Sequence, residues 1–103
     1  SAMDTFTVVA DPTRRRILEE LRGRERTVGE LVGALRVNQP TVSKHLRVLR
    51  DARLVSSTVD AQRRRYRIDA EGFRELDEWI DAFRRLWSDR LDALEAHLDR
   101  SQS

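Results

Sequence analysis

Two helix-start signals lie so close together in this chain that only a tight turn fits between the helices they open. The first is Thr27-Val28-Gly29-Glu30, a capping box with Thr at the N-cap and Glu at N3, followed by Leu31, Val32 and Leu35 at helical spacing. It predicts a short helix over about 28–35. The second is Asn38, a good N-cap residue, with Pro40 in the first turn that follows, where its missing N–H has no partner to lose. Arg36-Val37-Asn38 is then the whole link. In the second helix, expected over about 39–52, Val42, Leu46 and Leu49 fall at i, i+4 and i+7 and make one apolar stripe, while Thr41, Ser43, Lys44, Arg47 and Arg50 point elsewhere. Standing alone, this would read as an amphipathic surface helix with a solvated basic face. Two short helices joined by so tight a turn instead make a helix-turn-helix. The hydroxyls and cations of the second helix then suit a DNA major groove, where hydroxyls and amides reach base edges and cations hold phosphates.

The flanking segments extend this unit. Residues 4–10, Asp-Thr-Phe-Thr-Val-Val-Ala, are short and apolar enough for a small helix that covers the core or meets a partner. Asp11-Pro12 reads as an N-cap with an N1 proline, opening a helix to about Arg22 with Ile17, Leu18 and Leu21 inward and Gly23 ending it. The triplet Arg14-Arg15-Arg16 rides its first turns, as a solvated face or as phosphate contacts. After Leu54 the periodicity changes: Leu54–Val59 is rich in β-branched and hydroxyl residues, Asp60–Arg63 is polar, and Arg64–Ile68 alternates again. This is a β-hairpin. Its arginines would protect an exposed sheet edge, or, directly after a helix-turn-helix, serve as a wing on the DNA backbone or minor groove.

Asp69 can cap a last helix to about Asp99, with Phe73, Leu76, Ile80, Phe83, Trp87, Leu91, Leu94 and Leu98 spaced by 3 or 4 and the weak helix former Gly72 near its start. Thirty residues at ~1.5 Å each span about 45 Å, longer than so small a domain covers with its own surface. The surplus apolar face calls for another chain, with Trp79, Phe83 and Trp87 buried between the two. A ligand pocket lined by the tryptophans is the sharper alternative; an aromatic stripe at helical spacing is more often packing.

The charge distribution agrees with a polyanion partner. The net charge is +2, but residues 1–68 hold 15 Lys and Arg against 8 Asp and Glu, and residues 69–103 hold 5 against 10. The first part is cationic and the tail anionic, and nucleic-acid affinity comes largely from neutralised phosphates. Nineteen of the 20 basic residues are Arg, which can reflect a GC-rich genome as much as function. No run approaches ~18 apolar residues and no apolar leader is visible, so neither a membrane span nor secretion is indicated, and the cytoplasm is the expected compartment. There is no Cys, which excludes disulfides and thiolate metal sites. The two His are far apart and no nucleophile–base pair is apparent, so an enzyme is not expected. Ser1-Ala2 before Met3 looks like a tag remnant, which divides the chain into 1–3, a core over 4–69, a dimerisation helix over 70–100 and a tail over 101–103.

Ala10-Asp11-Pro12-Thr13-Arg14-Arg15-Arg16-Ile17-Leu18, Thr27–Leu31, Gln39–Leu49, Leu54-Val55 and Arg64–Ile68, in this order and spacing, resemble the ArsR/SmtB-like winged-helix repressors of bacteria over about residues 5–70. The resemblance implies a mainly α fold with one β-hairpin (α+β), a winged helix-turn-helix. It also implies a homodimer built from the first and last helices, with Phe6, Phe73, Leu76, Ile80, Phe83, Trp87, Leu91 and Leu94 at its interface. Such a dimer would bind an imperfect palindrome in double-stranded operator DNA. Carried over by position, Gln39, Thr41, Ser43 and Lys44 are base-reading candidates, Arg47 meets phosphate, and Arg63, Arg64 and Arg65 stand in the wing. Pro40 replaces a residue that is often polar in relatives, so one base contact is missing from the pattern. Many relatives sense metal through a Cys pair before the turn, where this chain has Glu30–Leu35 and no ligand, or through two His on the last helix, where it has only His97. His45, where the family has a structural His, is expected to pack or hydrogen-bond. No metal or other cofactor is expected; the long Trp-bearing last helix looks more like the metal-independent autorepressor branch, and the inducing ligand is unknown. A winged-helix protein-interaction module without specific DNA binding is the alternative.

Overall fold

The computed structural model describes residues 2–102; Ser1 of the Ser1-Ala2 pair and Ser103 of the expected tail lie outside the described residues. The elements in order are α1 (Ala2–Val9), α2 (Pro12–Glu20), β1 (Arg26–Thr27), α3 (Val28–Leu35), α4 (Gln39–Asp51), β2 (Val55–Asp60), β3 (Arg63–Ile68) and α5 (Ala70–Gln102). The fold is mainly helical with a β-hairpin, as expected. It adds β1, which pairs antiparallel with β3 (Arg26 opposite Tyr66, Thr27 opposite Arg65) and makes a three-stranded sheet in the order β1-β3-β2. Two residues have no periodicity to read, so this strand is invisible before the partner strand is placed. α2 stops at Glu20 with Leu21 as its C-cap, short of the expected Arg22, and α5 runs past the expected Asp99.

The predicted N-caps of α2, α3 and α4 form. Asp11 Oδ1 accepts from the Arg14 N–H (3.0 Å) and Asn38 Oδ1 from the Thr41 N–H (2.9 Å). In the capping box Thr27 Oγ1 accepts from the Glu30 N–H (3.2 Å) and Glu30 Oε1 from the Thr27 N–H (3.0 Å). These bonds hold two carboxyls below the usual carboxylate range: Asp11 through the Arg14 N–H, and Glu30 through the Thr27 N–H and hydroxyl. The caps fix where α2, α3 and α4 begin, and so which side chains face inward. Ile17 of α2 and Leu21 at its C-cap, Leu31 of α3, Val42, Leu46 and Leu49 of α4, and Leu54 and Val55 are almost fully buried in one core, which Tyr66 closes from the sheet. Each contributes on the order of 1.5–3 kcal/mol by leaving water.

α2 also binds the frame through its cations. Arg14 donates from Nε to the Val8 carbonyl (2.6 Å), and its Nη1 lies 3.4 Å from His45 Nδ1. A guanidinium has no acceptor, so the imidazole nitrogen accepts, and Arg14 thereby links the end of α1 to α4. Arg16 Nη2 donates to the Leu35 carbonyl (3.0 Å), at the end of α3, where Arg36 turns left-handed (φ +56°) and the last carbonyls lack helical partners. Two members of the arginine triplet therefore hold the helix-turn-helix together.

The hairpin closes through Ala61-Gln62, with Asp60 opposite Arg63. Ala61 takes φ +58°, a region costing an L-residue roughly 1–2 kcal/mol. Ala61→Gly is therefore expected to raise stability by about 0.5 kcal/mol after the entropy of the freer unfolded chain, read by thermal or urea denaturation. Arg14→Lys keeps the charge but cannot span Val8 and His45 together, and is expected to lower stability by about 1–2 kcal/mol in the same assay. An unchanged midpoint would remove Arg14 from the frame.

Candidate nucleic-acid interface

Burying Val42, Leu46 and Leu49 turns the opposite side of α4 outward. Gln39, Pro40, Ser43, Lys44 and Arg47 are exposed there, and between Gln39 and Arg50 the helix carries no carboxylate. Thr41 is half-buried on the flank of this face, as is His45. Of the expected residues on α4, Gln39, Ser43, Lys44 and Arg47 thus share an open strip, and Thr41 borders it.

The hairpin sorts its arginines by strand alternation. Tyr66 and Ile68 face the core with Val55 opposite, and Arg64 continues that side to the tip, its Nη1 donating to Ser57 Oγ (3.2 Å). Arg63, Arg65 and Arg67 stand on the other side. Arg65 pairs with Asp60 (3.2 Å), and Arg67 lies 3.9 Å from Glu25 and donates to Thr58 Oγ1 (3.4 Å). Arg65 is therefore already engaged with an acid, a difference from Arg63 and Arg64 that the run of basic residues conceals.

Gln39, Arg63 and Arg64 come together. With Gln62 and the first turn of α3, Thr27–Glu30, they line a cleft of about 590 Å³ between the start of α4 and the hairpin tip. By sequence alone Gln62 is one residue of a polar turn, and the first turn of α3 carries no signal beyond its cap. Chain reversal at Ala61 is what brings Gln62 to this cleft, and no local pattern announces it.

The rest of the expected surface is on α5. Phe73 and Leu76 pack into the chain's own body rather than standing free, because the first turns of α5 lie against it. They also line, with Val9, Leu18 and Ile68, an apolar cleft of about 440 Å³. Phe6 of α1 meets Trp79 edge-on (4.8 Å between rings), and Trp79 meets Phe83 at 4.5 Å. Phe83 and, further along α5, Trp87, Leu91, Leu94 and Leu98 remain 47–64% exposed, and Ile80 is 37% exposed. Among the described residues no cluster of three or more potential metal ligands occurs, and no helix is long and apolar enough to cross a membrane.

Comparison with known proteins places this arrangement. The description "bacterial regulatory protein, arsR family" matches residues 11–57, from the N-cap of α2 into β2. The HTH-type transcriptional regulator Rv2034 of Mycobacterium tuberculosis is 44% identical over 78 residues, 76% of this chain and 73% of that protein. The transcriptional repressor SdpR of Bacillus subtilis is 29% identical over 77 residues, 75% of this chain and 86% of that protein. Among solved structures, that of a "possible transcriptional regulator for arsenical resistance" superposes with a TM-score of 0.71 at 37% identity, covering 84% of this chain and 95% of the other. The capped helix pair, the hairpin after it and these relatives lead to one conclusion: the chain belongs to the ArsR family, as a winged helix-turn-helix, DNA-binding transcriptional regulator.

Proposed function

We propose that the chain is a homodimeric repressor acting in the bacterial cytoplasm, with residues 4–69 reading operator DNA and residues 70–100 pairing two copies. The observation that carries the reading is the open, carboxylate-free strip of α4 beside a cleft where Gln39 meets Arg63 and Arg64. In this reading α4 lies in the major groove. Gln39 and Ser43 reach base edges, Thr41 contributes from the flank, Lys44 and Arg47 hold the strand, and the wing meets the backbone or minor groove mainly through Arg63 and Arg64. Arg65 joins them only by giving up Asp60. The exposed apolar length of α5, continuous with Phe6, Phe73, Leu76 and the cleft beside them, fits a second copy of the same helix pair. Two recognition helices about 34 Å apart would enter successive major grooves on one face of an imperfect palindrome, and repression would follow from excluding polymerase.

Selection of duplexes from a random pool, followed by fluorescence anisotropy on the winner and on a scrambled control, tests this directly. An inverted repeat bound roughly 1,000-fold or more above the control is expected. Weak binding that is blind to sequence and erased by salt would replace the reading with a winged-helix interaction module. On the selected duplex, Lys44→Ala and Arg64→Ala are expected to weaken binding to all sequences and lower the salt slope by about 1 each, whereas Gln39→Ala and Thr41→Ala relax preference at single positions by about 1–3 kcal/mol. Equal losses on every sequence for all four would refute that division.

For the assembly, light scattering at tens of micromolar is expected to return twice the chain mass of 12.0 kDa. Trp87→Glu combined with Leu94→Glu should return one chain mass, since two carboxylates would then be buried without partners. A wild-type monomer would undo the palindrome.

A further inference from the structure

The start of α5 is joined backbone to backbone to the turn that follows α4. Arg53, just after α4, turns left-handed (φ +60°), and the Leu54 N–H returns to the Leu49 carbonyl (2.9 Å). The chain then passes through the hairpin and comes back to the same place. The Asp69 N–H donates to the Leu54 carbonyl (2.9 Å) and the Gly72 N–H to the Arg53 carbonyl (2.7 Å). Asp69 also caps α5, its Oδ1 accepting from the Glu71 N–H (2.9 Å). Donors at the start of α5 that its own helix cannot satisfy thus meet carbonyls of the turn that follows α4.

Gly72 is what lets the backbones approach so closely. It is buried, and a Cβ added there would stand 2.6 Å from the carbonyl oxygens of both Ala52 and Arg53 and 2.8 Å from the Arg53 carbonyl carbon. All three are backbone atoms, so no side-chain rotation relieves the overlap. Glycine weakens a helix interior, and here it stands in the first turn of the longest helix in the chain. Its place follows from the contact rather than from helix formation.

We propose that Gly72 is a positioning residue: it fixes the angle between α4 and α5, and through that angle the half-site spacing that the dimer accepts. The inference rests on the dimeric, DNA-reading function proposed above. If α5 pairs two copies while α4 enters the groove, the joint between them is the hinge of the reading device. α4 is roughly 20 Å long at ~1.5 Å per residue, so opening the joint by about 1 Å tilts a rigid lever. Symmetry doubles the displacement between the two recognition helices, to an appreciable fraction of the ~3.4 Å between base pairs.

The test uses duplexes carrying the selected inverted repeat with its spacer changed one base pair at a time, three shorter to three longer, and a duplex with one half-site. Binding is followed by anisotropy, with circular dichroism and light scattering reporting fold and mass. Wild type is expected to show one optimum, with its neighbours on the order of tenfold weaker. Gly72→Ala, folded and dimeric, is expected to lose about tenfold at that optimum, to bind the neighbouring spacings within about threefold of it, and to keep its affinity for the single half-site. A merely structural defect would lower all duplexes together and leave the profile's shape unchanged. Arg53→Gly holds φ +60° without steric cost and softens the same joint, so it should fold and flatten the profile similarly. A folded, dimeric Gly72→Ala with the wild-type profile overturns the proposal; if Gly72→Ala does not fold, an unchanged profile in Arg53→Gly does so. A wild-type chain that is monomeric, or equally content with every spacing, fails at the level of the dimeric reading and takes this inference with it.

Discussion

The burial of one stripe, Val42, Leu46 and Leu49, decides most of what this protein presents to the outside. Side chains on a helix are fixed relative to one another by its turn, so placing three of them in the core leaves the others no choice of direction. Gln39, Ser43, Lys44 and Arg47 are exposed because their neighbours are buried, and the caps at Asp11, Thr27 and Asn38 set the register in which that happens. The arginines of α2 complete the arrangement from beneath. Arg14 and Arg16 reach the two helices of the turn at different points, one through an imidazole and one through a helix-end carbonyl, so α3 and α4 are held to a common support as well as to each other.

Much of this could be read from the residues because the strongest signals are local. A capping box, an N-cap followed by proline, and apolar spacings of 3 and 4 each involve a few consecutive residues, and α2, α3, α4 and α5 came out close to their expected bounds for that reason. What the residues did not announce depends on distant partners. β1 exists only because Tyr66 and Arg65 lie beside it. The arginine triplet has the same composition whether it faces solvent or reaches Val8, His45 and Leu35. The run Arg63-Arg64-Arg65 looks uniform, yet alternation puts Arg64 on one side of the hairpin and Arg63 and Arg65 on the other, and Asp60 distinguishes the last of these. Gly72 is the clearest case. Within its own helix it is only a weakness, and its reason lies twenty residues earlier in the carbonyls of Ala52 and Arg53.

The division of charge along the sequence becomes a division of labour in space. The cationic part is wrapped around the core as α2, α4 and the hairpin, while the anionic part lies along α5. Arg74, Arg84 and Arg85 there are committed to Glu71, Asp77 and Asp81 on the same helix. Such exposed pairs add only a few tenths of a kcal/mol each, but they keep these three cations occupied, and 10 carboxylates against 5 arginines over residues 69–103 make the segment net negative. A duplex drawn to the first part would be repelled by the second.

The length of α5 has a consequence for how the molecule behaves at low abundance. The longest dimension of the chain is 69 Å against 26 and 22 Å for the others, and the far half of the helix gains nothing from its own body, with Leu86, Trp87, Leu91, Leu94 and Leu98 all about half exposed. An isolated helix of that size is marginal in water. If a second copy covers the apolar side, as proposed above, that copy would supply its order, and mass action would make the order a function of how many chains are present. In such a dimer the far half of α5 would be a gauge of the protein's own concentration, coiled or frayed according to supply.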